Sequence, residues 1–407
     1  MARLTGEFAD WNNLVFCAVW LTGELDVAAV RDAWRVVCLR HDVMRRAYRS
    51  PDEAYTYEDV LGELDFRTAE TDAEALEMMR RILGTPFGLD ALGFSRIAIV
   101  QRDERRHLLG IVVDHIINDQ VSWGRLMRDF GELYERVRAH DTSAGDIAGR
   151  GTYQGFASLQ RREFSTAWGE ERRSFWLSHT EQFGNYPPAF PVAGELKSEP
   201  SLKIVNHALP TEASSRVLEL ARRARATPFV VAVSGVLAGM QEVSGAQTVG
   251  VTTNHHGRVL PGTSETVGQF VQTVPLHLSS RPRGPLETVR EVFSRSLDVF
   301  EYSLPLRVAG KYWNEDLASV SRDAGVYVTL NETAPSLEEA PLVGTKAEYV
   351  ELDVPGGKSW PATLLLDWQL NGTAPQLVAS YNENFFQDTA IESLLQAAER
   401  FVLSVDS

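Results

Sequence analysis

An α+β protein of two lobes is what this sequence predicts, on three observations. Strand-like and helix-like periodicities alternate through both halves, with strands joined by hairpins and by longer connections. The chain has 407 residues, beyond the size at which one hydrophobic core usually stops growing. Two stretches without periodicity, "DTSAGDIAGRGT" (141–152) and "GNYPPAFPVAGELKSEPS" (184–201), read as linkers. The lobes are therefore expected at 1–175 and 176–407.

In the first half, "NLVFCAVWLTGELD" reads as a strand that turns at Gly23 and leads to Asp26 as a helix N-cap. Val27, Val30, Trp34, Val37 and Cys38 then recur at three- and four-residue spacing, the apolar stripe of a helix laid on a sheet. "RHDVMRRAY" (40–48) returns to an extended pattern. "DAEALEMMRRIL" (72–83) reads as an amphipathic helix capped by Asp72 and stopped by Gly84 and Pro86. "FSRIAIV" and "HLLGIVVD" form a hairpin across "QRDERR", and "SWGRLMRDFGELYERVRAH" is helical. In the second half, "LKIVNHAL" is a strand, followed by two helices, the second opened by Thr227 and Pro228. "QTVGVTTNHHGR", "QTVPLHL", "GVYVTLNE", "ATLLLDWQLNG" and "QLVASYNE" are strands, and a helix capped by Asp388 closes the chain.

Composition excludes several functions. With 44% hydrophobic and 23% charged residues the chain is of ordinary globular type. No apolar run approaches the ~20 residues of a membrane span, and "MARLTGEFADWNN" lacks a signal core; a cytoplasmic protein with no membrane partner is expected. A net charge of −15 disfavours nucleic acid as a partner. Cys17 and Cys38 suit core filling rather than a disulfide or a metal site, and no His or acidic pair has metal-ligand spacing.

The chemistry concentrates in "GIVVDHIINDQVSWGRL" (110–126), where an apolar strand runs into Asp114, His115 and Asp119. An imidazole with an ordinary pKa of about 6.5 can accept and return a proton near neutrality. Asp114 alternates with His115 along the strand and is expected to face the other side. "NHHGR" (254–258) has two histidines but no aspartate at the matching offset and reads as surface or lining. His277 reads as a core or edge histidine and Trp123 as a core anchor.

"DHIINDQVSW" resembles the HHxxxDG signature of nonribosomal peptide synthetase condensation domains. "RHDVMRRAY" is similar to that family's RHExLRTxF element, "PFGLDALGFSRIAI" to its PFDL…PLLR strand and "VGQFVQTVPL" (267–276) to its GxFVNTxPL loop. The order of motifs is also the family's. The resemblance implies two chloramphenicol-acetyltransferase-like lobes forming a V-shaped pseudodimer around a central tunnel. It implies amide or ester formation between an acyl or aminoacyl thioester on a carrier protein and a small-molecule amine or alcohol. The carriers would act in trans, with no cofactor beyond their phosphopantetheine. His115 would be the base and Asp119 its catalytic companion, organising the loop through an arginine; Asp114, Gln120, Ser122, Gly268, Gln269 and Gln272 would line the tunnel or motif. Two positions depart from the family, Asp114 for its first histidine and Gln120 for its glycine. A scaffold without catalysis that recruits a tailoring enzyme, as altered-motif X domains do, is therefore the rival expectation. A coenzyme-A-dependent acyltransferase is a third.

Overall fold

The computed structural model describes residues 14–50, 53–59, 64–88, 93–141, 151–183, 202–280, 284–317, 325–330, 342–354, 363–371 and 374–404. The stretches read as linkers fall outside them over 142–150 and 184–201. In chain order the first elements are β1 (Leu14–Gly23), α1 (Val27–Arg40), β2 (Arg46–Ser50), β3 (Glu53–Thr56), β4 (Asp65–Thr68), α2 (Asp72–Gly84), β5 (Ser95–Asp103), β6 (Arg106–Asp114), α3 (Gln120–Arg138), α4 (Tyr153–Glu163) and α5 (Ala167–Phe183). There follow β7 (Leu202–Ala208), α6 (Ala213–Ala224), α7 (Pro228–Ser244), β8 (Val249–His255), β9 (Gln272–Leu278), α8 (Pro285–Glu301), α9 (Leu306–Trp313), β10 (Gly325–Leu330), β11 (Thr345–Tyr349), β12 (Thr363–Gln369), β13 (Gln376–Asn382) and α10 (Asp388–Leu403).

These elements fall into two compact units whose division is not the sequential one expected at 175. The described residues of 1–161, 258–270 and 334–359 form the first, and those of 162–257, 271–333 and 360–407 the second. The reason is pairing over long sequence distance. β11 adds antiparallel to β1, Leu21 opposite Ala347, while the buried Trp176 of α5 donates its indole N–H to the Tyr302 carbonyl at 2.8 Å in the second unit.

The first unit holds a five-stranded sheet in the order β11-β1-β6-β5-β4, and β2 pairs separately with β3. β5 and β6 form the expected antiparallel hairpin. β6 is buried along almost its whole length because both faces are covered. Gly110 sits under α2, where a Cβ would overlap the Met79 thioether. On α1, Val30, Trp34, Val37 and Cys38 are buried as their spacing predicts; Trp34 meets Phe130 of α3 edge-on, with ring centroids 5.6 Å apart. Burial pushes the Cys38 thiol up to about 12 and raises Cys17 further, leaving both as inert core fillers.

The second unit holds a six-stranded sheet, β7-β13-β12-β10-β8-β9, against which α7 lies apolar and buried. Thr227 accepts from the Val230 N–H and Pro228 follows it into the helix. No single described helix is long and apolar enough to cross a membrane. Two expected caps are displaced by one residue. Thr71, not Asp72, accepts the Glu74 N–H at the start of α2. Asp388 leaves α10 without a side-chain cap because its carboxylate accepts from Lys203 and from the Tyr381 hydroxyl instead.

Candidate functional site

β6 ends at Asp114, and His115 does not continue the strand. The chain tightens into a 3-10 turn, His115–Ile117, so the alternation expected of Asp114 and His115 does not apply. Asp114 is buried and is the cap of that turn, its Oδ1 accepting the Ile116 N–H at 3.0 Å. His115 is half-buried, and among the described residues its ring has no hydrogen-bond partner. Ile117 and Asn118, fully buried behind it, fix the base of the turn.

Asp119 caps α3 and is nearly inaccessible. Its Oδ1 accepts the Ser122 N–H at 2.8 Å and Arg258 Nη2 at 3.1 Å, and its Oδ2 accepts the Phe270 N–H at 2.9 Å. One carboxylate thus holds both ends of the 258–270 segment against the start of α3. Ser122, also buried, reinforces the joint: its hydroxyl donates to the Gly268 carbonyl at 2.7 Å and accepts from the Gly268 N–H and Arg258 Nη2. Arg258 Nη1 donates to the Thr263 and Thr266 carbonyls at 2.6 and 2.7 Å, and its guanidinium lies 4.0 Å over the Phe270 ring. Arg125 pairs with Glu265 at the same segment. Hydrogen bonds to both Asp119 oxygens and from both terminal nitrogens of Arg258 offset the cost of burying the pair. Arg258 is therefore the cation that the aspartate requires, and the "NHHGR" stretch ends in an anchor rather than in plain surface.

Gly268 is constrained by contact, since a Cβ there would overlap the Tyr153 ring. Tyr153 donates its hydroxyl to the Gln269 carbonyl at 2.8 Å and stands edge-on to Phe270 at 5.3 Å. Burial raises the Tyr153 phenol well above its usual pKa, so it remains a donor. Asp42 orients it by accepting the N–H groups of Tyr153 and Gln154 at 2.8 and 3.0 Å, closing the first turn of α4. The other members of the "RHD" element act on α3: His41 Nε2 lies 2.9 Å and Arg40 Nη1 3.5 Å from the buried Asp129 carboxylate.

Gln120, in place of the family's glycine, is the first residue of α3 and exposed. Its backbone is helical, so its conformation does not require glycine. Trp123 is buried in the first unit's core. Gln272 is buried at the start of β9 and belongs to the second unit. The structure therefore joins Asp119, Ser122, Gly268 and Gln269 into one assembly. Arg258, Tyr153 and Asp42 complete it, and sequence reasoning missed them. The signal that could have found Arg258 is that a buried carboxylate needs a cation and that "NHHGR" ends in one.

The second unit carries a separate titratable cluster. His277 stacks on Phe183 at 4.4 Å and 8°, with His179 at 5.1 Å. Both rings, with Arg295 and Asp298, line a cavity of about 270 Å³. Burial holds His179 down to about 4 and His277 to about 3. His255 of "NHHGR" sits 2.7 Å from the Ser303 hydroxyl and stacks on Phe300. Among the described residues no three His, Cys, Asp or Glu side chains are placed to hold a metal ion.

Comparison with known proteins bears on this arrangement. Residues 11–304 match the Condensation domain family. Bacitracin synthase 2 of Bacillus licheniformis is 24% identical over 293 residues, covering 70% of this chain and 11% of that protein. The chain thus spans about a tenth of the length of such a relative. Among solved structures, the X-domain from teicoplanin biosynthesis superposes with TM-score 0.77 at 16% identity over 99% of this chain and 94% of that one; it is also known in complex with OxyB. VibH, an NRPS condensation enzyme, superposes with TM-score 0.74 at 13% identity over 98% and 92%. These likenesses show the fold, which is of the chloramphenicol-acetyltransferase-like kind.

Proposed function

This chain belongs to the condensation-domain family, and from that premise we propose that it joins a carrier-borne acyl or aminoacyl group to an amine or alcohol, forming an amide or an ester. The observation that carries the reading is the His115 turn. A half-buried imidazole without a hydrogen-bond partner among the described residues is presented by a capped turn, directly before an aspartate whose oxygens are committed to structure. A thioester is already activated, so the remaining tasks are to orient the nucleophile and to move its proton. As the acceptor nitrogen or oxygen attacks the acyl carbon, His115 takes its proton; as the carbon–sulfur bond breaks, the imidazolium returns that proton to the departing thiol. Asp119 and Arg258 position the loop and touch neither reactant. Asp114, replacing the family's first histidine, has its own task as cap of the turn, so the replacement leaves the base intact.

Asp114 also favours a second reading, since a departure at the family signature fits a scaffold that binds a tailoring enzyme, as the X-domain is found with OxyB. One experiment separates the two. Acyl-carrier thioesters are supplied with amines and alcohols to the wild type and to His115→Ala, and amide or ester is measured by mass spectrometry. Loss of at least ~100-fold in product formation, on the order of the contribution of a general base, is expected for His115→Ala with unchanged folding. Equal product from both proteins removes the base assignment, and product from neither favours the scaffold.

A further inference from the structure

The first unit contains a buried cation that the assembly described above leaves unused. Arg46 opens β2, and Tyr48, two residues on, lies on the same face of the strand. Arg46 is only 7% exposed. Its Nε is shut off from solvent with no hydrogen-bond partner, and among the described residues no carboxylate comes within ion-pair distance of its guanidinium. What surrounds it is phenolic. Its Cζ lies 5.4 Å over the Tyr153 ring, and the Tyr48 hydroxyl is close enough for Arg46 to favour its phenolate, against the larger opposing effect of burial. Asp42 and Asp114 also influence that hydroxyl. Asp42, however, accepts the N–H groups of Tyr153 and Gln154, and Asp114 caps the His115 turn.

The place matters as much as the charge. Tyr48 packs on Phe94, ring centroids 5.6 Å apart, and the Phe94 carbonyl accepts the Asp114 N–H at 2.8 Å, one residue before His115. Tyr153, on the other side, reaches the Gln269 carbonyl. Arg46 and Tyr48 are also where "RHDVMRRAY" departs from RHExLRTxF, with a guanidinium for threonine and a phenol for phenylalanine.

A buried guanidinium with no carboxylate in direct contact is costly in a folded protein, and such cost is retained at sites that a ligand completes. The missing partner is an anion of single charge. One guanidinium balances one carboxylate, whereas a phosphate would bring a second charge into a neighbourhood that already holds Asp42, Asp114 and Asp119. A planar carboxylate also matches the fork of Arg, with Tyr48 as an added donor. We propose that Arg46 and Tyr48 receive a free carboxylate of the substrate that His115 serves, making this a carboxylate-selective member of its family. Binding at Arg46 is independent of catalysis, so only the identity of the ligand as substrate rests on the acyl-transfer reading.

The test is thermal unfolding of wild type, Arg46→Met and His115→Ala, alone and with a panel of benzoate, phenylacetate and the free amino acids, each beside its carboxamide. Arg46→Met, close in length but uncharged, is expected to melt above the wild type without ligand, because it removes a buried charge that no carboxylate among the described residues contacts. Carboxylates of the panel should raise the melting temperature of wild type and His115→Ala but not of Arg46→Met, with carboxamides inert. Titration calorimetry with the best carboxylate should give an affinity roughly 10- to 100-fold weaker for Arg46→Met, as for loss of a charge-assisted pair. Melting of Arg46→Met below the wild type, or a wild type that does not distinguish carboxylates from carboxamides, overturns the proposal. A His115→Ala protein that binds the carboxylate but still makes product would instead sink the base assignment alone.

Discussion

Both oxygens of Asp119 are engaged by donors from three residues, and the pair with Arg258 is sealed from water at side-chain exposures of 5% and 7%. Removing one partner from such a pair strands the other charge. Arg258→Ala is expected to destabilise the first unit by about 3–5 kcal/mol. The Arg258→Ala/Asp119→Ala double variant should lose less than the sum of the singles, because the penalties share a cause; guanidinium denaturation of the set measures both. At this scale the sequence was legible where chemistry is contiguous. Asp114, His115 and Asp119 stand within six residues, and their types suggest a base with supporting acids. Arg258 was not legible, because its partner lies 139 residues away and no local periodicity records such a pairing. Gln120, where the family has glycine, lies in the first turn of a helix, a setting that the motif alone does not reveal.

For the elements, period-two and period-3.6 patterns located β5, β6, α1, α3 and α7 because each buries one face or all of its surface. Caps were read one residue late at α2, since Thr71 and Asp72 are both competent and only geometry decides between them. The choice is measurable. Thr71→Ala should cost about 1 kcal/mol by loss of the Glu74 N–H partner, while Asp72→Ala should cost less than half of that, its ion pairs with Arg102 and Arg106 being surface ones. Urea unfolding of the two variants distinguishes them. β11 escaped the sequence reading because "TKAEY" lacks a fully buried face; it is a strand because β1 offers it an edge.

Across the whole molecule, the buried histidines make stability depend on pH. His179 and His277 are lowered in the folded state from 6.5 to about 4 and about 3 by burial, whereas in the unfolded chain they titrate normally. The unfolded state therefore takes up protons first. Their contribution is complete above about pH 6.5 and is lost as pH falls toward the folded values. At pH 5 the loss is on the order of 2 kcal/mol for each ring, and carboxylates remain largely charged there. A melting temperature several degrees lower at pH 5 than at pH 7.5, with a shallower dependence in His179→Gln, is the expected outcome of calorimetry.

The return of the described residues 342–354 to the first unit has a consequence for biosynthesis. The strand that covers the outer edge of β1, β11, is synthesised more than three hundred residues after it. Until β11 is made, the nascent chain carries an apolar strand with one side of its backbone unsatisfied, a template for self-association. Separating β1 from β11 by a cut near residue 175 would make that exposure permanent, so the segments on either side are poor candidates for separate expression.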